Sequence, residues 1–300
     1  MKLGVFGGDT SARTIDDLVA DARRAEADGF ASYVLPQVFG LDAMGVFAII
    51  GREVPRIGLA TGVVPTYGRH PLTMAQQALT VQAASGGRFV LGIGLSHKPV
   101  IEGMFGLSFD RPVRHMREYL SVLMPLIHDG KAKFKGETIS TNAPVGVEPH
   151  IPCQVLVAAL GEQMLKLAGT MTDGTVTWMT GPATLASHTV PVINAAAAAA
   201  GRPAPHVGAS LPICVTADID AARERAARNF SIYDTLPSYK SMLDREGAGG
   251  PADVAIVGDE AAVEKQVRAL GDAGVTEFVA SIFGSREERA QTRALLKSML

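Results

Sequence analysis

Arg56-Ile57-Gly58-Leu59-Ala60-Thr61-Gly62-Val63-Val64-Pro65-Thr66-Tyr67-Gly68-Arg69-His70-Pro71 is the stretch whose reading decides the fold. It begins as a buried strand. It breaks at Gly62, where a glycine inside a strand marks a bulge or the close approach of another group. It ends in a polar loop and then a helix that Pro71 can start. Parallel α/β proteins place their chemistry at such a strand end, just before a polar loop.

Outward from this stretch the same unit repeats. Strands are expected at Leu3–Gly7, Phe30–Pro36, Arg88–Leu95, Val155–Ala159, Gly174–Met179, His206–Thr216 and Thr276–Ile282. Helices follow them. Thr14 with Asp17, and Ser285 with Glu288, have the spacing of capping boxes. Ala43–Glu53, Pro71 to about Ser85, a segment after Pro112 that contains Pro125, and Glu260–Ala273 read as helices, and a long helical region runs from Asp218 to about Asp244. A helix end, a small or acidic residue, a glycine and a strand recur at Gly29, Gly174 and Gly274. Alternating units imply a parallel sheet. Eight of them fit a closed (β/α)8 TIM barrel of about 250 residues plus insertions. Lys131–Pro149, with Lys/Phe alternation, reads as an insertion with a short hairpin, and residues 1–300 read as one domain. The alternative is an open doubly wound sheet, but the first turn, Phe6-Gly7-Gly8-Asp9-Thr10-Ser11, lacks the G-x-G-x-x-G pattern.

Lys plus Arg total 28 and Asp plus Glu total 30, a balance that gives no electrostatic case for nucleic acid or an anionic membrane. Cys153 and Cys214 lie far apart, without metal or disulfide spacing, as buried thiols in a reducing cytoplasm do. The amino terminus enters a strand directly, unlike a signal peptide, and no apolar run reaches the roughly 20 residues of a membrane span.

In a barrel the carboxyl ends of the strands converge on one mouth. Here they bring Gly7-Gly8-Asp9, Pro36 to Phe39, Gly62 to Tyr67, Ser96-His97, Ala158 to Gly161, Trp178 to Gly181 and Ile282 to Gly284. This set is rich in small and apolar residues. It has no paired carboxylates for glycoside hydrolysis, no metal-spaced cluster and no G-x-S-x-G elbow. It suits a broad, mostly apolar ligand, such as a cofactor that brings its own chemistry. Two helix starts, at Gly161 and at Thr180-Gly181-Pro182, could bind phosphate.

The Thr61–Pro71 motif, together with Gly87-Arg88-Phe89-Val90-Leu91-Gly92-Ile93-Gly94-Leu95-Ser96-His97, resembles the luciferase-like monooxygenase superfamily, and most the branch that uses the deazaflavin coenzyme F420. Ala158–Gly161 and Asp173–Trp178 fit that branch too. The resemblance implies a bacterial-luciferase-like TIM barrel with a non-proline cis peptide at Gly62–Val63. It implies a coenzyme held by Gly62, Val63, Thr66, Ser96, His97, Ala158, Ala159, Leu160, Gly161, Thr177 and Trp178, in a chain that is commonly a homodimer. Relatives that oxidise alcohols or sugar phosphates carry an acid and a histidine after the second strand, where this chain has Pro36-Gln37. That departure points to reduction of an activated C=C or C=N bond, with Gln37, Tyr67 and His97 as catalytic candidates. FMN-dependent monooxygenation, and a non-catalytic carrier or sensor of the coenzyme, are the alternatives.

Overall fold

The computed structural model describes residues 1–8 and 10–300; Asp9, expected at the mouth, lies outside the described residues. In chain order the elements are β1 (Lys2–Phe6), α1 (Ile15–Asp28), β2 (Ser32–Leu35), α2 (Ala43–Glu53), β3 (Gly58–Thr61), β4 (Val64–Pro65), α3 (Pro71–Ala84), β5 (Phe89–Gly94), α4 (Lys98–Gly103), α5 (Pro112–Asp129), β6 (Lys131–Lys135), β7 (Ser140–Pro144), β8 (Gln154–Ala158), α6 (Glu162–Met171), β9 (Gly174–Trp178) and α7 (Pro182–Thr184). A π-helical turn (Leu185–Thr189) leads into α8 (Val190–Ala199), then β10 (His206–Val215), α9 (Ile219–Asn229), a 3-10 turn (Ser231–Asp234), α10 (Pro237–Glu246), β11 (Ile256–Gly258), α11 (Glu260–Asp272), β12 (Glu277–Ile282) and α12 (Arg286–Ser298).

Eight parallel strands close in the order β1, β2, β3, β5, β8, β9, β10, β12 and back to β1. These are the eight segments expected from the sequence. Strands covered by helices are buried on both faces, and Leu59, Leu91, Ile93, Val155, Val157 and Phe278 accordingly lie in one continuous core. Both expected capping boxes form. In each, the hydroxyl of Thr14 or Ser285 accepts from an amide three residues on, and the Asp17 or Glu288 carboxylate accepts in return from the cap amide.

Three segments differ from the sequence reading. The single helical region from Asp218 is two helices around the 3-10 turn. Pro237 forces the residue before it out of the helical region, and Leu236 is extended at φ −95°, ψ 116°. A short helix, α4, follows β5 in a stretch to which the sequence reading assigned no element. Strand β11 pairs with the far end of β10, at Ile213 to Val215, outside the closed ring; three residues are too few to show a periodic pattern.

The expected insertion forms the antiparallel hairpin β6–β7, in register from Lys131 opposite Pro144 to Lys135 opposite Ser140. Glu118 of α5 holds its turn. Its carboxylate accepts from the amides of Glu137, Thr138 and Ile139 and from the Thr138 hydroxyl. Burial pushes this carboxyl up, but the Thr138 amide and hydroxyl and the Glu137 and Ile139 amides outweigh it and bring it to about 2. Glu118→Ala leaves those donors without their acceptor and should lower stability by about 1.5–3 kcal/mol at pH 7. The folded group titrates below its ordinary 4.5. The stabilisation is therefore complete above that value and is lost as pH falls towards about 2. Urea melts of both proteins at stepped pH should show the gap between them closing over that interval; a gap unchanged down to pH 3 would contradict the assignment.

Candidate active site

The opening stretch is bulged. Ala60 lies opposite Val90 and Val64 opposite Ile93, so Thr61, Gly62 and Val63 face only Leu91 and Gly92. One extra residue on one strand breaks the ladder locally. The buried backbone groups this strands need partners, and Thr61 supplies them. Its hydroxyl donates to the Gly92 carbonyl at 2.8 Å and accepts from the Gly92 amide at 2.9 Å. On the other side the Gly62 amide donates to the Leu35 carbonyl, and beyond the bulge the Thr66 amide returns to Gly94. The peptide Gly62–Val63 is cis.

The glycines of β5 make the room. A Cβ on Gly92 would lie 2.0 Å from the Thr61 carbonyl oxygen, and one on Gly94 would lie 2.7 Å from Val63 Cγ2. The groups packed against Gly62 itself are Val34 and the Phe6 ring.

Around the bulge the mouth is aromatic. Phe6 stacks on Trp178 with ring centroids 6.2 Å apart, and Trp178 meets Phe230 and Tyr233 edge-on. Tyr233 packs edge-on against Tyr239, which reaches the His97 ring at 5.7 Å. The 3-10 turn and α10 are thereby laid across the ends of β1, β5 and β9. Ser96 and Met179, at the ends of β5 and β9, hold left-handed φ values of 59° and 54°, a conformation that concentrates at ligand sites in non-glycine residues. Burial pushes the His97 imidazole below its ordinary value.

Tyr67 is 8% exposed. Its ring lies between His115, at 4.0 Å and nearly parallel, and Phe109 at 5.5 Å. Its hydroxyl has no hydrogen-bond partner among the described residues. Burial, and then the Asp110 charge, raise its phenol above the ordinary range. His115 Nε2 lies 3.0 Å from the Thr66 hydroxyl, and its imidazole is pushed down by burial against the pull of Glu118. The sequence reading missed His115, together with Tyr233 and Tyr239. All three sit on surface-covering helices far along the chain, and the one local signal is the i,i+4 pairing of His115 with Tyr119, whose hydroxyl donates to the Arg69 carbonyl.

Gln37 lies at the mouth with its carbonyl oxygen accepting from the Ala43 amide at 2.8 Å, which helps to start α2. Arg69 is paired with Asp42, and Lys98 with Glu102 at 3.7 Å. His70 caps α3, its Nδ1 accepting from the Leu72 amide. Thr177 is buried, with its hydroxyl 3.4 Å from the Gly208 carbonyl on the next strand. That contact ties β9 to β10 in the barrel wall.

The two helix starts differ. At α6 no side chain caps the amino end, and Gly161 is exposed. Ala158 is half-buried, Ala159 is buried, and the Leu160 carbonyl accepts from His188 at 2.9 Å. Uncapped amides at such an end favour an anion. At α7 the expected phosphate position is taken. Glu246 of α10 accepts from the Ala183 amide at 3.0 Å and the Thr184 amide at 2.7 Å, so a phosphate there would meet a carboxylate. Among the described residues no three His, Cys, Asp or Glu side chains gather as a metal set, and no helix is long and apolar enough to cross a membrane.

The family model described as luciferase-like monooxygenase matches residues 1–292. A 5,10-methylenetetrahydromethanopterin reductase of Archaeoglobus fulgidus is 30% identical over 228 residues, which cover 74% of this chain and 67% of that protein. An uncharacterised Mycobacterium tuberculosis protein is 29% identical over 216 residues, 67% of this chain, and the match spans 64% of its length. The coenzyme F420-dependent tetrahydromethanopterin reductase of Methanopyrus kandleri has the same fold, with a TM-score of 0.82 at 23% identity over 99% of this chain and 97% of that one.

Thr61→Val keeps the shape of the side chain and removes both bonds to Gly92. Two buried backbone groups then lack partners, at about 1–3 kcal/mol each. Denaturant unfolding should show a loss of about 2–6 kcal/mol for the two groups together, and hydrogen exchange should show the Gly92 amide losing protection. A fully protected Gly92 amide in the variant would contradict the role given to Thr61.

Proposed function

This chain belongs to the luciferase-like monooxygenase family, and from that premise we propose that it is an oxidoreductase dependent on the deazaflavin coenzyme F420, reducing an activated C=C or C=N bond of a small organic substrate. One observation carries the proposal: the mouth joins a built strand bulge, at Thr61–Val63, to an uncapped helix start, at Gly161. A flat ring with a phosphate-bearing tail fits that pair. The similarity to a 5,10-methylenetetrahydromethanopterin reductase of Archaeoglobus fulgidus and to the coenzyme F420-dependent tetrahydromethanopterin reductase of Methanopyrus kandleri supports the same choice.

Gly62 and Val63 would back the ring. Thr66, Ser96 and His97 would lie along its edge, Trp178 would wall it, and the Ala158–Gly161 backbone would take the phosphate end. When bound in its reduced form, F420 supplies a hydride to the electron-poor end of the double bond and is oxidised by two electrons, while the other end takes a proton. Tyr67 stays protonated well above neutral pH and can give that proton from its hydroxyl. His97 is neutral at pH 7, because burial holds its imidazole below 6.5; in that state it orients ligand groups through one ring N–H and one acceptor nitrogen. Gln37, with its carbonyl oxygen committed to α2, presents its amide nitrogen. We place this enzyme in the cytoplasm as a homodimer acting on small molecules, with neither nucleic acid nor a membrane as partner. The two buried free thiols, Cys153 and Cys214, support that compartment.

Titration of the purified protein with F420 and with FMN, followed by quenching of coenzyme fluorescence, tests the reading. Saturable quenching of F420 with little response from FMN is expected, followed by oxidation of reduced F420 when an enone, quinone or imine is added. Tight FMN binding without an F420 response would replace the proposal with FMN-dependent monooxygenation. F420 binding without turnover of any of these acceptors would replace it with a carrier or sensor.

A further inference from the structure

Among the described residues, six of the eleven exposed large apolar side chains lie on three segments. Val38 and Phe39 follow β2, Met104, Phe105 and Leu107 follow α4 in the β5–α5 connection, and Ile232 lies on the 3-10 turn beyond β10. All three segments stand at the carboxyl ends of barrel strands, round the mouth. Phe39 is 63% exposed, Met104 68% and Ile232 58%. The segments are held to the site. Phe105 lies against Gly68, Phe109 stacks on Tyr67, Asp42 pairs with Arg69, and Tyr233 beside Ile232 continues the aromatic line to His97. Two basic side chains beside these segments, Arg69 and Lys98, are each paired with a carboxylate, while Arg111 on the β5–α5 connection is exposed. Exposed apolar groups gathered beside a pocket mark an interaction surface, and this collar runs into an aromatic mouth of the kind that holds small molecules.

We propose that the substrate is an apolar molecule whose hydrocarbon body lies across the collar of Phe39, Met104, Phe105 and Ile232 while its activated double bond enters the mouth beside Tyr67. The inference rests on the F420 reading for the reaction, and goes beyond it in naming the class of substrate. Continuity of the collar with the mouth favours this occupant over a second copy of the chain.

Trp178 is the one tryptophan of the chain and stands in the mouth, so its fluorescence reports binding without turnover. Linear enones of increasing chain length, and their saturated ketones, are titrated against the full-length protein with and without F420. The dissociation constant should fall about twofold to fourfold per added methylene until the collar is covered. The double variant Phe39→Ser/Phe105→Ser should flatten that dependence, whereas Leu300→Ser, at an exposed position beside Gly29 at the opposite end of the barrel, should keep it. A flat series in protein that still quenches F420 would overturn the substrate class and leave the F420 reading standing. A steep series in protein that ignores F420 would uphold the apolar ligand and overturn the coenzyme. If the double variant converts a dimer to a monomer in sedimentation while the chain-length dependence persists, the collar is an interface between copies and the proposal falls.

Discussion

The site depends on one side chain that closes a gap in the sheet. Wherever an extra residue enters a strand, the ladder loses bonds, and the groups it strands are buried here on both faces. Thr61 answers with a hydroxyl that both donates to and accepts from Gly92. Serine could make the same two bonds, but threonine also carries the β-branched methyl that suits a buried strand. The glycines of β5 are the second half of the same device, because the backbone and Val63 side chain of the bulge occupy the space where their side chains would stand. The bulge and its neighbour strand therefore form a single unit.

The rest of the mouth is assembled from elements that no strand end supplies. The 3-10 turn and α10 bring Phe230, Tyr233 and Tyr239 over Trp178 and His97. Glu246, at the last turn of α10, fastens that cover by capping α7. A carboxylate on a helix amino end is favoured for the same reason a phosphate is. The barrel thus presents two similar helix starts, fills one with its own acid and leaves the other, at Gly161, open. That asymmetry gives the mouth a direction, from the bulge towards α6. On the opposite flank α5 sets His115 against Tyr67 and Thr66, so the loop that follows the bulge is clamped by packing as well as by its own hydrogen bonds.

Much of this was legible in the sequence. Doubly covered strands read as unbroken apolar runs, and Arg88–Leu95 and Val155–Ala159 could be placed because glycines and prolines punctuate them. The capping boxes at Thr14 and Ser285 were legible because the bonds join residues three apart. Gly62 was legible as a break in a strand. What was not legible arises from contacts between distant segments. Nothing local marks Glu246 as the cap of α7, His115 as the partner of Tyr67, or Thr177 as bonded to Gly208. Pro237 marks the interruption after α9, although Asp218 to about Asp244 read as one long helical region. The exposed collar was legible only in part: Phe39 falls in the strand-end segment Pro36 to Phe39, whereas nothing local marks Met104, Phe105 or Ile232.

The central claim is that the bulge and the α6 amino end together hold one coenzyme. A crystal structure of the protein with F420 tests it most directly. The account predicts the deazaflavin ring in van der Waals contact with Gly62 and Val63 and the phosphodiester accepting from the backbone amides that open α6. A ring seated away from the bulge, or a phosphodiester bound anywhere other than α6, would contradict it.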